Sequence, residues 1–215
     1  MKTSKGGFRI LPGRLLSGGQ AVIGAAAGAF VRLGIGPNAI TVAALIAGAG
    51  AGILIWRGRP LWAFGAGLLC GACDVLDGRV ATLAGRKSEF GGFLDSTLDR
   101  YSEFFMYAGA AAWLGTPLTH GLAALAFLGS VMVSYTRARA EGLGIPLRSG
   151  VMQRAERLVI LGLALLAGVA AGRLRAGLII ALGLIALFSN ITAVQRIFAV
   201  RAATRIGSKS EETAL

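Results

Sequence analysis

From Pro37 onward the chain alternates long apolar runs with short polar breaks. The runs cover Asn38–Trp56, Leu61–Leu83, Phe90–Leu114, Leu118–Tyr135, Glu156–Ala171 and Leu174–Val200. Most approach the ~20 residues that a helix needs to cross a bilayer; the fifth is short, and either begins before Glu156 or tilts little. The breaks hold the Gly, Pro, Asn and Arg residues that end helices. Ahead of them, Lys2, Lys5, Arg9 and Arg14 are set among Phe8, Ile10, Leu11, Leu15 and Leu16. A small-residue run from Ala21 to Val31 follows, cut short by Arg32 and Gly34-Ile35-Gly36-Pro37. That pattern predicts an amphipathic helix lying at the membrane surface. The expected fold is therefore an all-α polytopic membrane protein of six transmembrane helices, with an interfacial segment over 1–36, a membrane domain over 37–200 and a polar C-terminal tail over 201–215.

Composition agrees. Only 15% of the 215 residues are charged, and mean hydropathy is +0.69, whereas soluble domains carry nearer a quarter. The formal net charge of +12 reflects topology rather than nucleic-acid binding, because no basic stripe is interleaved with aromatics. Setting both termini, the Arg86-Lys87 turn and the Arg137–Arg157 region in the cytoplasm leaves only Arg57, Arg59, Arg173 and Arg175 outside and Arg100 within a span. This orientation follows the positive-inside rule. Early interruptions by Arg9, Pro12 and Arg14 argue against a cleavable signal peptide. Cys70 and Cys73 make one C-x-x-C in apolar sequence, without a second pair or nearby His, and read as small core residues. His120, the single histidine, follows a Gly-Thr-Pro turn and reads as a solvated loop residue.

Candidate chemistry is concentrated between Cys73 and Arg100. All the aspartates of the chain, Asp74, Asp77, Asp95 and Asp99, lie there. Acids inside apolar sequence are costly unless a cation neutralises them. The first two are three apart and the last two four apart, so each pair shares one face of a helix. A hairpin across the polar turn 84–89 brings the two pairs into one volume. Carboxylates without histidine or a thiolate cluster suit magnesium, manganese or calcium better than zinc or copper.

This stretch resembles the signature of the CDP-alcohol phosphotransferase family, Asp-x2-Asp-Gly-x2-Ala-Arg-x8-Gly-x3-Asp-x3-Asp. It is met by Asp74, Asp77, Gly78, Ala81, Gly91, Asp95 and Asp99, with Thr82 in place of the arginine. The resemblance implies a two-metal site of Mg2+ or Mn2+ held by Asp74, Asp77, Asp95 and Asp99, with Asp99 also the general base. It implies binding of a CDP-diacylglycerol-type lipid donor by Asp74, Asn38, Gly78, Ala81, Thr82 and Arg86. Thr82 brings no positive charge, and Arg79 or Arg86 can take the arginine's place. The implied reaction is attack by an alcohol hydroxyl on the β-phosphorus of the donor, with release of CMP.

A second set of segments, Ser134-Tyr135-Thr136-Arg137-Ala138-Arg139-Ala140-Glu141, Glu156-Arg157-Leu158 and Gln195-Arg196, resembles the phosphatidylinositol phosphate synthases and archaeal inositol-lipid synthases of that family. It implies an acceptor carrying phosphate, a phosphorylated polyol that is inositol 1-phosphate in those relatives, bound by Ser134, Arg137, Arg157 and Arg196, and a homodimer in the cytoplasmic membrane. Arginine is well matched to phosphate oxygens. Glycerol 3-phosphate is the competing acceptor, and intramembrane carboxylates also admit a cation or proton transporter.

Overall fold

A computed structural model describes residues 13–147 and 150–212, with side chains over 21–147 and 150–204. The expected basic start from Lys2 to Leu11 lies outside the described residues. Among the described residues there are seven α-helices: α1 (Gly13–Arg32), α2 (Pro37–Trp56), α3 (Pro60–Leu83), α4 (Glu89–Leu114), α5 (Pro117–Glu141), α6 (Arg154–Ala170) and α7 (Leu174–Glu212). Proline at the first turn starts α2, α3 and α5, where its missing N–H costs nothing and its fixed φ suits the helix. Ser88 caps α4 by accepting from the Gly91 amide at 3.0 Å. Gly115, at φ 66°, ends α4 in the left-handed region that a side chain disfavours.

By length and apolar content α2, α3, α5 and α7 can each cross a membrane. The charges of α4 keep it from that set, and the 17 residues of α6 span only about 26 Å. Two expected boundaries move. Helix α5 runs past Tyr135 to Glu141, and α7 runs past Val200 to Glu212, so the polar tail is helical as far as it is described. His120 is not in a loop: it sits in the first turn of α5, its Nδ1 donating to the Thr116 carbonyl at 2.6 Å. Cys70 and Cys73 are free and buried, as core residues.

Small residues fill much of the interior, with Met106, Leu114, Leu178, Leu182 and Ile185 between them. Ala44, Ala51, Ala63, Ala110, Ala126 and Ala181 are buried, while Trp62, Leu118, Ile46 and Phe198 point outward. Small residues at helix contacts let backbones approach closely where lipid is the solvent. Helix α2 packs against both α3 and α4, α5 against α4 and α7, α6 against α3 and α7, and α1 on α3. The α2–α4 crossing is backbone on backbone: a Cβ on Gly109 would lie 2.0 Å from the Gly52 carbonyl oxygen, and one on Gly52 would lie 2.2 Å from that of Phe105.

Candidate metal centre and substrate cleft

The α3–α4 hairpin forms as the aspartate spacing predicts, turning through Ala84 to Ser88. It brings one carboxylate oxygen each from Asp74, Asp95 and Asp99 within 4.8 Å of one another. Asp77, one turn along α3, stands outside this trio. It is buried, and its Oδ2 accepts from Thr41 Oγ1 of α2 at 2.7 Å. Asp95 Oδ1 is buried without a hydrogen-bond partner. An orphaned carboxylate oxygen beside two further carboxylates is a donor set that fits a hard divalent cation.

Two cavities meet these acids. A cleft of 260 Å³ runs between the N-terminus of α2 and the hairpin turn, lined by Asn38, Thr41, Asp77, Gly78, Ala81, Arg86, Lys87 and Asp95 among others. The structure therefore gathers Asn38, Gly78, Ala81 and Arg86 as expected. Thr82 is turned away from it, exposed, with its hydroxyl donating to the Gly78 carbonyl at 2.8 Å. The second cavity is an apolar groove of 420 Å³ between α3 and α6, lined by Gly67, Leu68, Gly71, Leu158, Gly162 and Leu166 among others, with Asp74 on its wall.

The arginines divide differently from the expectation. Arg154, at the first turn of α6, reaches two of the metal trio: its Nη1 contacts Asp74 Oδ1, and its Nη2 lies 2.8 Å from Asp99 Oδ1. Arg157, one turn later, is 1% exposed and lies behind the site, donating to Glu103 Oε1 from Nε at 3.0 Å and from Nη2 at 2.6 Å. Ser134 accepts from Arg100 Nη1 at 2.5 Å. Arg196 is buried against the same turn of α5, donating to the Val133 carbonyl. Arg137 is exposed and paired with Glu141 at 2.9 Å. Ser134 and Arg196 thus meet at one turn of α5, while Arg137 and Arg157 each hold a glutamate, Glu141 and Glu103, and stand near enough to Arg196 for their charges to act on it.

Sequence reasoning passed over Thr41, Arg100 and Glu103 as site residues, and grouped Arg154 with Arg137, Arg157 and Arg196 only as arginines at cytoplasmic helix ends that could grip a second anion. Two left a signal. Thr41 lies three residues after Asn38 on a helix start, and Glu103 extends the i, i+4 series of Asp95 and Asp99.

Carboxylates gathered for a divalent cation, between a cleft edged with cations and an apolar groove, define a membrane-embedded enzyme acting on phosphate carried by a lipid. Residues 35–203 match the family model described as CDP-alcohol phosphatidyltransferase. The chain belongs to the CDP-alcohol phosphatidyltransferase family, a family of transferases that use Mg2+ or Mn2+, and the transport reading falls away. Over 106 residues it is 51% identical to an archaetidylinositol phosphate synthase of Methanothermobacter thermautotrophicus, a match over 48% of this chain and 53%, about half, of that protein. Over 185 residues it is 37% identical to a phosphatidylinositol phosphate synthase of Streptomyces avermitilis, covering 80% of this chain and 74% of the relative. Among solved structures, phosphatidylinositol phosphate synthase of Mycobacterium tuberculosis with CDP-DAG bound has a TM-score of 0.74 at 28% identity, covering 84% of this chain and 94% of that one. The same enzyme in complex with manganese and citrate has a TM-score of 0.73 at 28% identity, covering 83% and 88%.

Proposed function

We propose that the protein transfers a phosphatidyl group, or its ether-lipid equivalent, from a CDP-linked lipid to a hydroxyl of inositol phosphate, releasing CMP. The observation that carries this reading is the convergence of Asp74, Asp95 and Asp99 within 4.8 Å, with Asp95 on a cation-edged cleft and Asp74 on the wall of an apolar groove. Similarity to synthases named for inositol lipids in bacteria and archaea supports the acceptor. Asp74, Asp95 and Asp99, with Asp77 beside them, would hold Mg2+ or Mn2+, which would supply positive charge for the diphosphate and for the leaving phosphate oxygen.

The chain's own residues do the rest. Gly78 and Ala81 leave room for the nucleotide against α3, and Arg86 supplies the charge that Thr82 lacks. The apolar groove along α3 and α6 suits the donor's hydrocarbon tails, which then need not leave the bilayer. Ser134, Arg196 and Arg154 hold the acceptor phosphate. Asp99 takes the proton of the acceptor hydroxyl as its oxygen bonds to the β-phosphorus. The bond from that phosphorus to the CMP oxygen breaks, and CMP leaves.

We read α2 to α7 as six spans. Helix α4 packs on α2 and on α5, both long and apolar enough to cross the membrane, so its acids face helices rather than lipid. Both termini and the metal centre then lie at the cytoplasmic side, with α1 along the interface. An apolar groove of 450 Å³ on the α4–α5 face, lined by Phe104, Tyr107, Phe127 and Leu128, suits a homodimer contact. The test is CMP release by purified protein from CDP-diacylglycerol with Mn2+ or Mg2+, offered inositol 1-phosphate, glycerol 3-phosphate or inositol. Release with inositol phosphate alone is expected. Release with none of them refutes the reading.

A further inference from the structure

Below the metal trio, α4 carries a third acid on the same face. Glu103 follows Asp99 by four residues, as Asp99 follows Asp95, yet it reaches no cleft. It is 1% exposed, as is Arg157, which donates twice to its Oε1. Its other oxygen, Oε2, has no hydrogen-bond partner and faces Arg100 Nη1 at 3.5 Å. Arg100 in turn lies between three groups. Its Nη2 is 3.6 Å from Asp99 Oδ2, and its Nη1 donates to Ser134 Oγ at 2.5 Å and to the Ser130 carbonyl at 3.3 Å.

Charges therefore alternate through the helix interior: Asp74, Arg154, Asp99, Arg100, Glu103, Arg157. A fully buried ion pair is weak evidence of stabilisation, because an apolar pair of similar volume commonly does as well. What Glu103 does that an apolar residue cannot is attract Arg100. Arg100 adjoins Asp99 in sequence, and without a second acid a turn away its guanidinium is drawn onto the Asp99 carboxylate. With Glu103 present it stays at ion-pair distance from Asp99 and within bonding distance of Ser134. Arg157, holding Oε1 by two bonds, keeps Oε2 aimed at Arg100.

We propose that Glu103, anchored by Arg157, is a positioning residue for the transfer reaction: it shares Arg100 with Asp99, keeping the guanidinium at ion-pair rather than hydrogen-bonding distance from the Asp99 carboxylate, and against Ser134. Asp99 keeps an oxygen for the acceptor's proton, and Arg100 and Ser134 stay fixed where the acceptor's phosphate docks. The inference rests on the assignment of Asp99 as base and of Ser134 to the acceptor pocket. Arg157 acts through Glu103 and does not touch substrate.

The test uses the full-length protein in detergent or nanodiscs, with the parent's CMP release established first; a parent without release refutes the functional reading, not this one. E103M/R157M removes both buried charges at similar volume. Its melting temperature is expected within a few degrees of the parent, and its Mn2+ affinity and donor KM unchanged. Its kcat is expected to fall by about tenfold or more, a fraction of what a general base contributes, with a rise in acceptor KM. A parent-like kcat, or equal loss in every parameter, overturns the proposal. Should the double variant fail to fold, E103D carries the test. It keeps the charge and the Arg157 pair but draws the carboxylate back from Arg100. A several-fold loss of kcat at unchanged melting temperature is expected, and parent-like turnover overturns the proposal.

Discussion

Replacing Arg154 by Gln is expected to tighten metal binding while lowering turnover, a pairing that ordinary damage to a site does not produce. The guanidinium contacts Asp74 and lies 2.8 Å from Asp99, two of the three carboxylates that converge. Side-chain exposure is 12% for Arg154 and Asp99 and 31% for Asp74, so water screens the Asp99 contact little and the Asp74 contact more. A hydrogen bond to a charged group is worth about 1.5–3 kcal/mol net. A cation held by these carboxylates would compete with the arginine for their oxygens, and the loss of one such bond is the least that competition costs. At about 1.4 kcal/mol per decade, Arg154→Gln should lower the Kd for Mn2+ by at least about tenfold, and loss of a neighbouring positive charge acts in the same direction. The assay is calorimetric titration of Mn2+ into purified protein without nucleotide, beside CMP release at saturating metal. An unchanged or weaker Kd refutes the idea that this arginine and the metal compete for the same oxygens.

Other perturbations separate the remaining roles. Asp99→Asn is expected to keep CDP-lipid binding within a few-fold, measured by nucleotide titration, and to cut CMP release by about 100-fold or more, the scale of a lost general base. Arg86→Ala should raise the donor's KM by about tenfold, one charge-assisted bond, and leave the acceptor's unchanged, because Arg86 lines the α2–hairpin cleft while Thr82 points back along its own helix; equal effects on both substrates would place it elsewhere. Gly109→Ala puts a methyl 2.0 Å from the Gly52 carbonyl oxygen and should cost about 1–3 kcal/mol as overpacking, read as a lower melting temperature in detergent. Gly65→Ala, with nothing within 4 Å of the new Cβ, is the control and should melt at or above the parent temperature.

The hairpin and its acids were legible because charge inside apolar sequence is conspicuous, and spacings of three and four residues fix the face. Helix starts at Pro37, Pro60 and Pro117 were legible for a similarly local reason, since proline marks a first turn. The ends of α5 and α7 were hidden: Thr136–Glu141 and Arg201–Glu212 leave the apolar pattern, yet alanine, arginine and glutamate favour helix and carry it on. Arg154 and Arg157 show the limit most clearly. They lie three residues apart, close to one face of α6, and no local feature says which meets Asp99 and which is sealed onto Glu103. That depends on how α6 sits against α3 and α4. Thr41 was lost likewise, since its bond to Asp77 crosses 36 positions of sequence.

The small-residue packing and the acidic centre are one design problem rather than two. Carboxylates on α3 and α4 can share a cation only if the oxygens from the two helices converge, and here they do within 4.8 Å. Helix α2 packs on both α3 and α4 and sets their separation. On the α4 side it does so through Gly48, Gly52 and Gly109, where a Cβ would meet Ser102 side-chain atoms or opposing backbone within 3 Å. Any larger residue there pushes α4 outward along its length, and Asp95 and Asp99 with it. A displacement near 1 Å is enough to spoil catalytic geometry. Damage at the α2–α4 crossing should therefore reach the metal before it reaches the fold: Gly109→Ala protein that remains folded below its lowered melting temperature should bind Mn2+ more weakly, although residue 109 is ten positions beyond Asp99 along α4.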